Sequence, residues 1–182
     1  MRTVCALVLL AAGCGAPWAV VVQSGPPSAI AGATQLTYAS DFNQLILDGQ
    51  PVANLLAAES PDEQANLQAA FQQMDQEFLG TFTGRANAAV APAAGPPQPG
   101  EVRLTAIYEN IQRGARGPIG SPTRVTMRFS LSVGGQVTDE VQMSRAISPS
   151  LTRSSVARRL HAIGRQLGDY AGRFFNDEQG RQ

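Results

Sequence analysis

Few side chains in this 182-residue sequence could carry out chemistry, and their spacing does not combine them into a catalytic site. His161 is the only histidine, and Cys5 and Cys14 are the only cysteines, so no zinc-type ligand set can be assembled. A Ser-His-Asp triad would need His161, but the sequence has no G-x-S-x-G nucleophile motif. Asp139 and Glu140 are adjacent on an expected strand, where neighbours point to opposite faces, so we expect a solvated hairpin there. We therefore predict no enzymatic activity, no cofactor and no metal.

Arginine supplies every basic side chain of this chain, because no lysine is present. Residues 101–182 carry twelve arginines against seven acids, a bias that GC-rich codon usage also produces. Two groups are candidates for contact with anionic headgroups: Arg113 and Arg116 in a Gly- and Pro-rich loop, and Arg158, Arg159 and Arg165 on the terminal helix. The loop lacks the Lys-Ser/Thr of a phosphate-binding loop. Ordinary solvated arginines are the alternative interpretation.

The first 14 residues have the pattern of a targeting segment rather than of a folded element. One arginine precedes an apolar run from Val4 to Ala12, and Gly13-Cys14 follow. The box Ala11-Ala12-Gly13-Cys14 resembles the signal peptide of bacterial lipoproteins, with alanine at position 11 where leucine is commoner. The resemblance implies removal of residues 1–13 and lipid attachment to Cys14. Residues 14–17 then form a lipid tether, and no thiol remains for a disulfide.

Three alternatives for this segment remain open. A plain secretory signal would be cut after Ala16 and would release the domain. A membrane-spanning helix from Val4 to Val22 has about the 20 residues that a bilayer needs, but two glycines and a proline interrupt it. A cytosolic protein with a hydrophobic first strand is the third alternative.

Strands are predicted wherever apolar side chains alternate with polar ones. The clearest spans residues 125–133, with one buried face and one solvated face. Gly134-Gly135 then predict a tight hairpin into a return strand at 136–147. Further strands are predicted at 18–23, at 34–47 with an irregularity near Asp41-Phe42, and at 101–111. The Ala/Pro/Gly segment 87–100 lacks periodicity, so we expect a flexible loop.

Two amphipathic helices are predicted. Ser60-Pro61-Asp62-Glu63 has the pattern of a helix start with a capping box, and an apolar stripe follows up to Phe82. Ser148-Pro149 begins the terminal helix, whose stripe continues to Phe174. Glycines at 164, 168 and 172 predict close approach of this helix to a sheet or a second helix. Residues 176–182 are expected to be a frayed tail.

These elements predict an α+β fold with a single domain over residues 18–175. We expect a two-layer sandwich, with two amphipathic helices on one face of a four- to five-stranded, largely antiparallel sheet. From Val102 to Phe175 the order of strand, Gly-rich loop, amphipathic hairpin and helix resembles a group of uncharacterised secreted bacterial lipoproteins. More distantly it is similar to the α/β domains of the curli-secretion lipoprotein and of the amino-terminal part of the Tol-system periplasmic protein. The resemblance carries no functional residue across except Cys14.

Two functions are consistent with these features. The first is a lipid-anchored envelope lipoprotein that acts as a non-catalytic scaffold or accessory subunit and binds a protein partner. The alternative is binding of a lipid, glycan or cell-wall fragment, with Arg113 and Arg116 at the mouth of the site. An open sheet edge or exposed apolar patch favours the first, and an enclosed apolar pocket with converging arginines favours the second. Gly15 after the cysteine is compatible with the outer membrane, facing the periplasm, and no nucleic-acid-binding motif is visible.

Overall fold

In a computed structural model, which describes residues 16–115 and 120–181, two long helices pack on one face of a mixed eight-stranded sheet. The elements follow in the order β1 (Trp18–Val22), β2 (Gln35–Asp41), β3 (Ile46–Leu47), β4 (Gln50–Pro51), α1 (Val52–Ala58), α2 (Pro61–Arg85), β5 (Ala89–Pro92), β6 (Val102–Gln112), β7 (Thr123–Val133), β8 (Gln136–Ile147) and α3 (Val156–Gly180). The strand order across the sheet is β1-β8-β7-β6-β2-β5, and the short β3 pairs with both β4 and β6.

The predicted α+β class is confirmed, but the predicted four or five strands were too few, and the sheet is mixed. β2 runs parallel to both β5 and β6, and β3 runs parallel to β6. Strand β5 lies inside segment 87–100, where we expected a flexible loop. It is only four residues long, so its alternation is too short to detect, and it forms because β2 offers backbone partners from Gln35 to Tyr38.

The centre of the core lies on the helix-facing side of β6, β7 and β8. Phe129 of β7 is fully buried, with its ring centroid 5.7 Å from that of Phe82 on α2 and 6.0 Å from that of Phe174 on α3. The hairpin between β7 and β8 turns at Gly134 and Gly135, whose φ angles of 59° and 86° suit the predicted two-residue turn. One helix-covered face and one outer face follow from the alternation along these strands.

Helix α2 begins as the sequence predicts. The Ser60 side chain accepts a hydrogen bond from the Glu63 backbone, and the Glu63 side chain reaches back to the Ser60 backbone. Helix α3 begins later than predicted, because Ser155 rather than Ser148 is its N-cap. Residues 148–155 offer one large apolar side chain, Leu151, and it is 87% exposed, so a helix there would bury nothing.

The end of α3 also differs from the prediction. The helix continues to Gly180, and the Ser28 backbone N–H donates to the Arg181 carbonyl at 3.1 Å, so the expected frayed tail is bonded to the body of the protein. Packing against the loop after β1 supplies the order that the local sequence does not.

The glycine spacing on α3 marks its contact with a second helix, as one of the two predicted arrangements requires. A Cβ atom added at Gly164 or Gly168 would collide with the carbonyl oxygen of Met74 or Phe78 on α2. The two backbones therefore approach more closely than alanine would permit, and this contact fixes both helices over the sheet.

Candidate functional site

Two of the predicted site residues, Cys14 and Arg116, lie outside the described residues, as does the predicted signal peptide. The remaining predicted arginines lie near one end of α3. Arg113 is in the loop after β6, Arg158 and Arg159 are in the first turn of α3, and Arg165 follows two turns later. The structure therefore brings the loop and the start of α3 together, while the position of Cys14, on whose side the headgroup hypothesis places these arginines, lies outside the described residues.

Arg159 differs from its predicted surface role, because its side chain is fully buried. Its Nε donates to Thr123 Oγ1 at 2.6 Å, and its Nη atoms donate to carbonyl oxygens of Arg113, Ala115, Arg153 and Ser154. All five N–H groups are used, and every acceptor is neutral. Desolvation lowers the pKa of this guanidinium below its ordinary value. Arg159 fastens the loop after β6 to the segment before α3 and has no donor left for a headgroup.

The other described arginines are paired or exposed. Arg113 Nε lies 2.5 Å from Asp48 Oδ2, and the Arg113 backbone N–H donates to Asp48 Oδ1 at 2.8 Å. Asp48 can accept both bonds because it lies in a two-residue turn with a positive φ of 50°. Arg165 Nη1 lies 3.2 Å from Glu77 Oε1, and Arg158 is exposed. Of these, Arg113 alone lies at a concave surface.

That surface is a cavity of about 880 Å³ between the start of α2, the start of α3 and the loop after β6. Its floor is apolar, with Leu67, Ala70, Val156 and Leu160, and its rim carries Arg113 with three acids, Asp48, Glu59 and Glu63. Among the described lining residues, three carboxylates stand against one guanidinium, and this negative balance disfavours an anionic headgroup. The converging arginines that would favour ligand binding are therefore not found among the described lining residues.

Asp139 and Glu140 are buried rather than solvated, contrary to our expectation for this hairpin. β8 has a bulge, because Leu131 pairs with Asp139 while Ser132 pairs with Val137. The extra residue turns Val137 to the outer face, where it is 45% exposed, and leaves Asp139 on the helix-facing side. Glu140 lies on the outer face, 3.2 Å from Arg128. As predicted, the two carboxylates do not converge.

A second polar cluster lies under α2 and was not predicted from the sequence. The hydroxyls of Tyr38 and Tyr108 both donate to Asp75 Oδ1, the latter at 2.9 Å. Burial, followed by neighbouring charge, raises the pKa of both phenols above the ordinary value. The available signal was a carboxylate four residues after Phe71, on the apolar stripe of α2. This cluster satisfies the two buried hydroxyls and contains no nucleophile or base in a cavity.

The most exposed apolar strand is β1, at one edge of the sheet. Among the described strands it pairs with β8 alone, so no described strand bonds to the backbone groups on its other side. Val20, Val21 and Val22 are 51%, 54% and 39% exposed. Trp18, at the start of the strand, packs edge-on against Phe174 with ring centroids 5.9 Å apart. The strand is thus anchored at its start and open along its outer side.

These features define a small α+β domain with an apolar sheet edge and a cavity whose described lining carries more carboxylates than arginines. Within residues 16–115 and 120–181, no three metal-binding side chains converge, and no helix is long and apolar enough to cross a membrane. No family model matches the sequence. No curated protein matches it either.

Solved structures give a loose likeness. The chain is similar to a PelC dodecamer from Paraburkholderia phytofirmans, at 17% identity and a TM-score of 0.44, over 83% of this chain and 96% of that one. A variant PelC dodecamer from the same organism matches at 15% identity and a TM-score of 0.40, over 84% of this chain and 97% of that one. Because both TM-scores lie below 0.5, the likeness carries no inference about function.

Proposed function

We propose that this chain is a non-catalytic envelope subunit, held to its membrane by lipid on Cys14 and bound to a protein partner through the edge strand β1. The observation that carries the proposal is the open, uncharged outer side of β1, with three exposed valines. A partner strand would supply both the hydrogen bonds and the apolar cover that this edge lacks.

Protein sheets normally protect an exposed edge with charge, proline, short length or a bulge. β1 has the sequence W-A-V-V-V, which contains neither charge nor proline, and its protective features are its length of five residues and a bulge at Val21. An uncharged β-branched edge of this kind invites unwanted pairing when left bare. Pairing with a dedicated partner strand explains why this edge contains neither charge nor proline.

The distance from the proposed anchor supports the same assignment. β1 begins four residues after Cys14, and four extended residues span at most about 14 Å. The open edge is therefore held next to the membrane surface, where an envelope protein can reach it. We assign the outer membrane, facing the periplasm, because Gly15 rather than aspartate follows the cysteine.

The anchor is tested by the intact mass of membrane-extracted protein, wild type beside Cys14→Ser. We expect a chain that begins at residue 14 and carries acyl groups, and loss of that modification in the variant. An unmodified chain that begins near Pro17, or one that retains Met1, would contradict lipid anchoring.

The partner surface is tested by a photo-crosslinking amino acid placed at Val21, or at Ala91 on β5 as a matched exposed control. We expect position 21 to form one discrete adduct with an envelope protein, and position 91 to form none. Equal adducts from both positions, or none from position 21, would overturn the edge as the partner surface.

A further inference from the structure

The last residues of the chain meet the end of its first strand in a buried group of charges. We call Asp139, Glu178 and Arg181 the terminal cluster. Arg181 Nη2 lies 2.5 Å from Glu178 Oε2 and 3.6 Å from Asp139 Oδ1. The Asp139 side chain is fully buried, and the Glu178 side chain is 4% exposed. Two buried carboxyl groups thus face one guanidinium, whose side chain is 27% exposed.

The terminal cluster is bonded to the segment that leaves β1. Gln23 Nε2 donates to Glu178 Oε1 at 2.8 Å, and the Ser24 backbone N–H donates to Asp139 Oδ1 at 2.9 Å. Arg181 in turn donates to the Ser24 carbonyl, and its own carbonyl accepts from the Ser28 N–H. Each of these bonds joins residues more than 100 positions apart, so the cluster connects the segment after β1 to the end of α3.

Few other contacts hold β1 in place. Four of its five residues are exposed, it pairs with one described strand, and the ladder is interrupted at Val21. Trp18 packs at one end, and the terminal cluster bonds the other. A strand with so little buried surface belongs to the low-stability end of local unfolding.

The cluster is incompletely satisfied. Glu178 Oε2 is compensated by Arg181 Nη2 at 2.5 Å, whereas Arg181 Nε has no acceptor among the described residues. A buried N–H group without an acceptor costs stability. The free energy that favours the closed arrangement over the open one is therefore smaller than it would be for a fully bonded cluster. This balance suits a contact that opens and closes.

We propose that the terminal cluster is an electrostatic latch, in which Arg181 controls whether β1 stays on the sheet. When Arg181 leaves, Asp139 and Glu178 lose their counter-charge, and the residues bonded to them move out into water. β1 then separates from β8 while the remainder of the sheet stays folded, so the edge available to another strand changes from β1 to β8. This goes beyond the proposed function, since it concerns the chain alone.

The test is hydrogen exchange by mass spectrometry on the full chain, wild type beside Arg181→Gln. We expect exchange in residues 18–24 to become at least about tenfold faster, with exchange in β6 and β7 unchanged. The control is Arg173→Gln, which removes an exposed arginine from its ion pair with Asp169 on the same helix and leaves β1 unaffected. Equal acceleration across the whole sheet, or none in residues 18–24, would overturn the latch.

A second comparison separates charge balance from general damage. In Arg181→Gln/Glu178→Gln, one uncompensated carboxylate is removed, so exchange in residues 18–24 should return to within about threefold of wild type. If the double variant exchanges faster than Arg181→Gln, counter-charge is not the cause, and the proposal fails. Should Arg181→Gln not fold, Ser24→Ala removes one hydroxyl bond to Asp139, and the same region should show a smaller acceleration.

Discussion

At one edge of the sheet, β5 is four residues long and ends in Pro92, whereas β1 at the other edge is five residues long and has neither proline nor charge. Both edge strands are short and uncharged; β5 is protected in addition by its proline, and β1 by a bulge. The two edges share the same core and solvent. Under the proposed function, β1 is the edge that binds the partner, and β5 is the edge that stays unpaired.

The segments that adjoin the two edges also differ in how they are fastened. After β5, residues 93–100 return to β6 and are held by a partly buried network. Arg103 donates to the Gly95 carbonyl at 2.9 Å and to Glu101 Oε1 at 2.8 Å. After β1, the chain is held by the buried terminal cluster, whose members come from β8 and the end of α3. The first fastening is local in sequence, and the second depends on the whole fold.

The largest effect that we expect is the loss of partner binding when the outer edge of β1 is changed and the β5 edge is not. The substitution Val21→Lys places a charge on the open edge. Val21 has no cross-strand neighbour on β8 and is 54% exposed. We expect partner affinity to fall by about a hundredfold or more, with the free energy of unfolding changed by less than about 0.5 kcal/mol. Native gel mobility of the detergent-extracted complex and urea unfolding measure the two quantities. Ala91→Lys on β5 is the control, and an equal loss there would remove the distinction between the edges.

The next largest effect concerns the anchor of β1. Trp18→Ala removes the ring contact with Phe174, and we expect a loss of about 2 kcal/mol, less than for a fully buried tryptophan because Trp18 is half-buried. Urea unfolding followed by circular dichroism measures this loss. On β5, Val90→Ala should cost about 1 kcal/mol or less. A cost for Trp18→Ala as small as that for Val90→Ala would mean that the aromatic contact does not anchor the strand.

Acid should act on the β5 side through Glu101. The Thr37 hydroxyl, the Gln98 backbone N–H and Arg103 together lower the pKa of Glu101 from 4.5 to about 2. Because the folded-state pKa is the lower one, the stabilisation is complete above about pH 4.5 and is lost as the pH falls towards about 2. Tm should therefore be higher in wild type than in Glu101→Gln at pH 6, and the difference should vanish near pH 2. A difference that is constant between these pH values would contradict this assignment, since the remaining carboxylates are common to both proteins.

The smallest effect tests whether proline protects the β5 edge. Pro92→Val restores a backbone N–H on the edge and changes the free energy of unfolding by less than about 0.5 kcal/mol. We expect weak self-association at high concentration, measured by analytical ultracentrifugation. If the variant stays as monodisperse as the parent protein, proline is not what closes this edge.

The elements predicted correctly from sequence are those whose signals are local. The capping box at Ser60, the alternation in β7, the Gly134-Gly135 turn and the glycine spacing of α3 depend on residues a few positions apart. Strand β5 was missed because four residues of Ala, Val and Pro become a strand only beside β2, more than 50 positions earlier. The start of α3 was placed too early because Ser148-Pro149 and Ser155 are both acceptable helix starts, and packing decides between them.

The candidate sites show the same division. Arg113, Arg158 and Arg159 were identified as arginines near one another, but the sequence does not distinguish exposed from buried members of the set. The five oxygens around Arg159 come from residues 113, 115, 123, 153 and 154, so its burial depends on two loops meeting. Asp139 was expected in solvent because its partners, Ser24 and Arg181, are more than 40 positions away.

By itself, the sequence determined the α+β class, the two amphipathic helices and the central hairpin, because periodicity, capping and turn residues act over a few residues. Tertiary structure alone decided which strands lie at the edges, which arginine is buried without a counter-ion and which charges hold β1. These properties depend on burial and on pairing between distant segments. Burial sets the cost of each unpaired charge or backbone group, and that cost cannot be assigned until the neighbours are known.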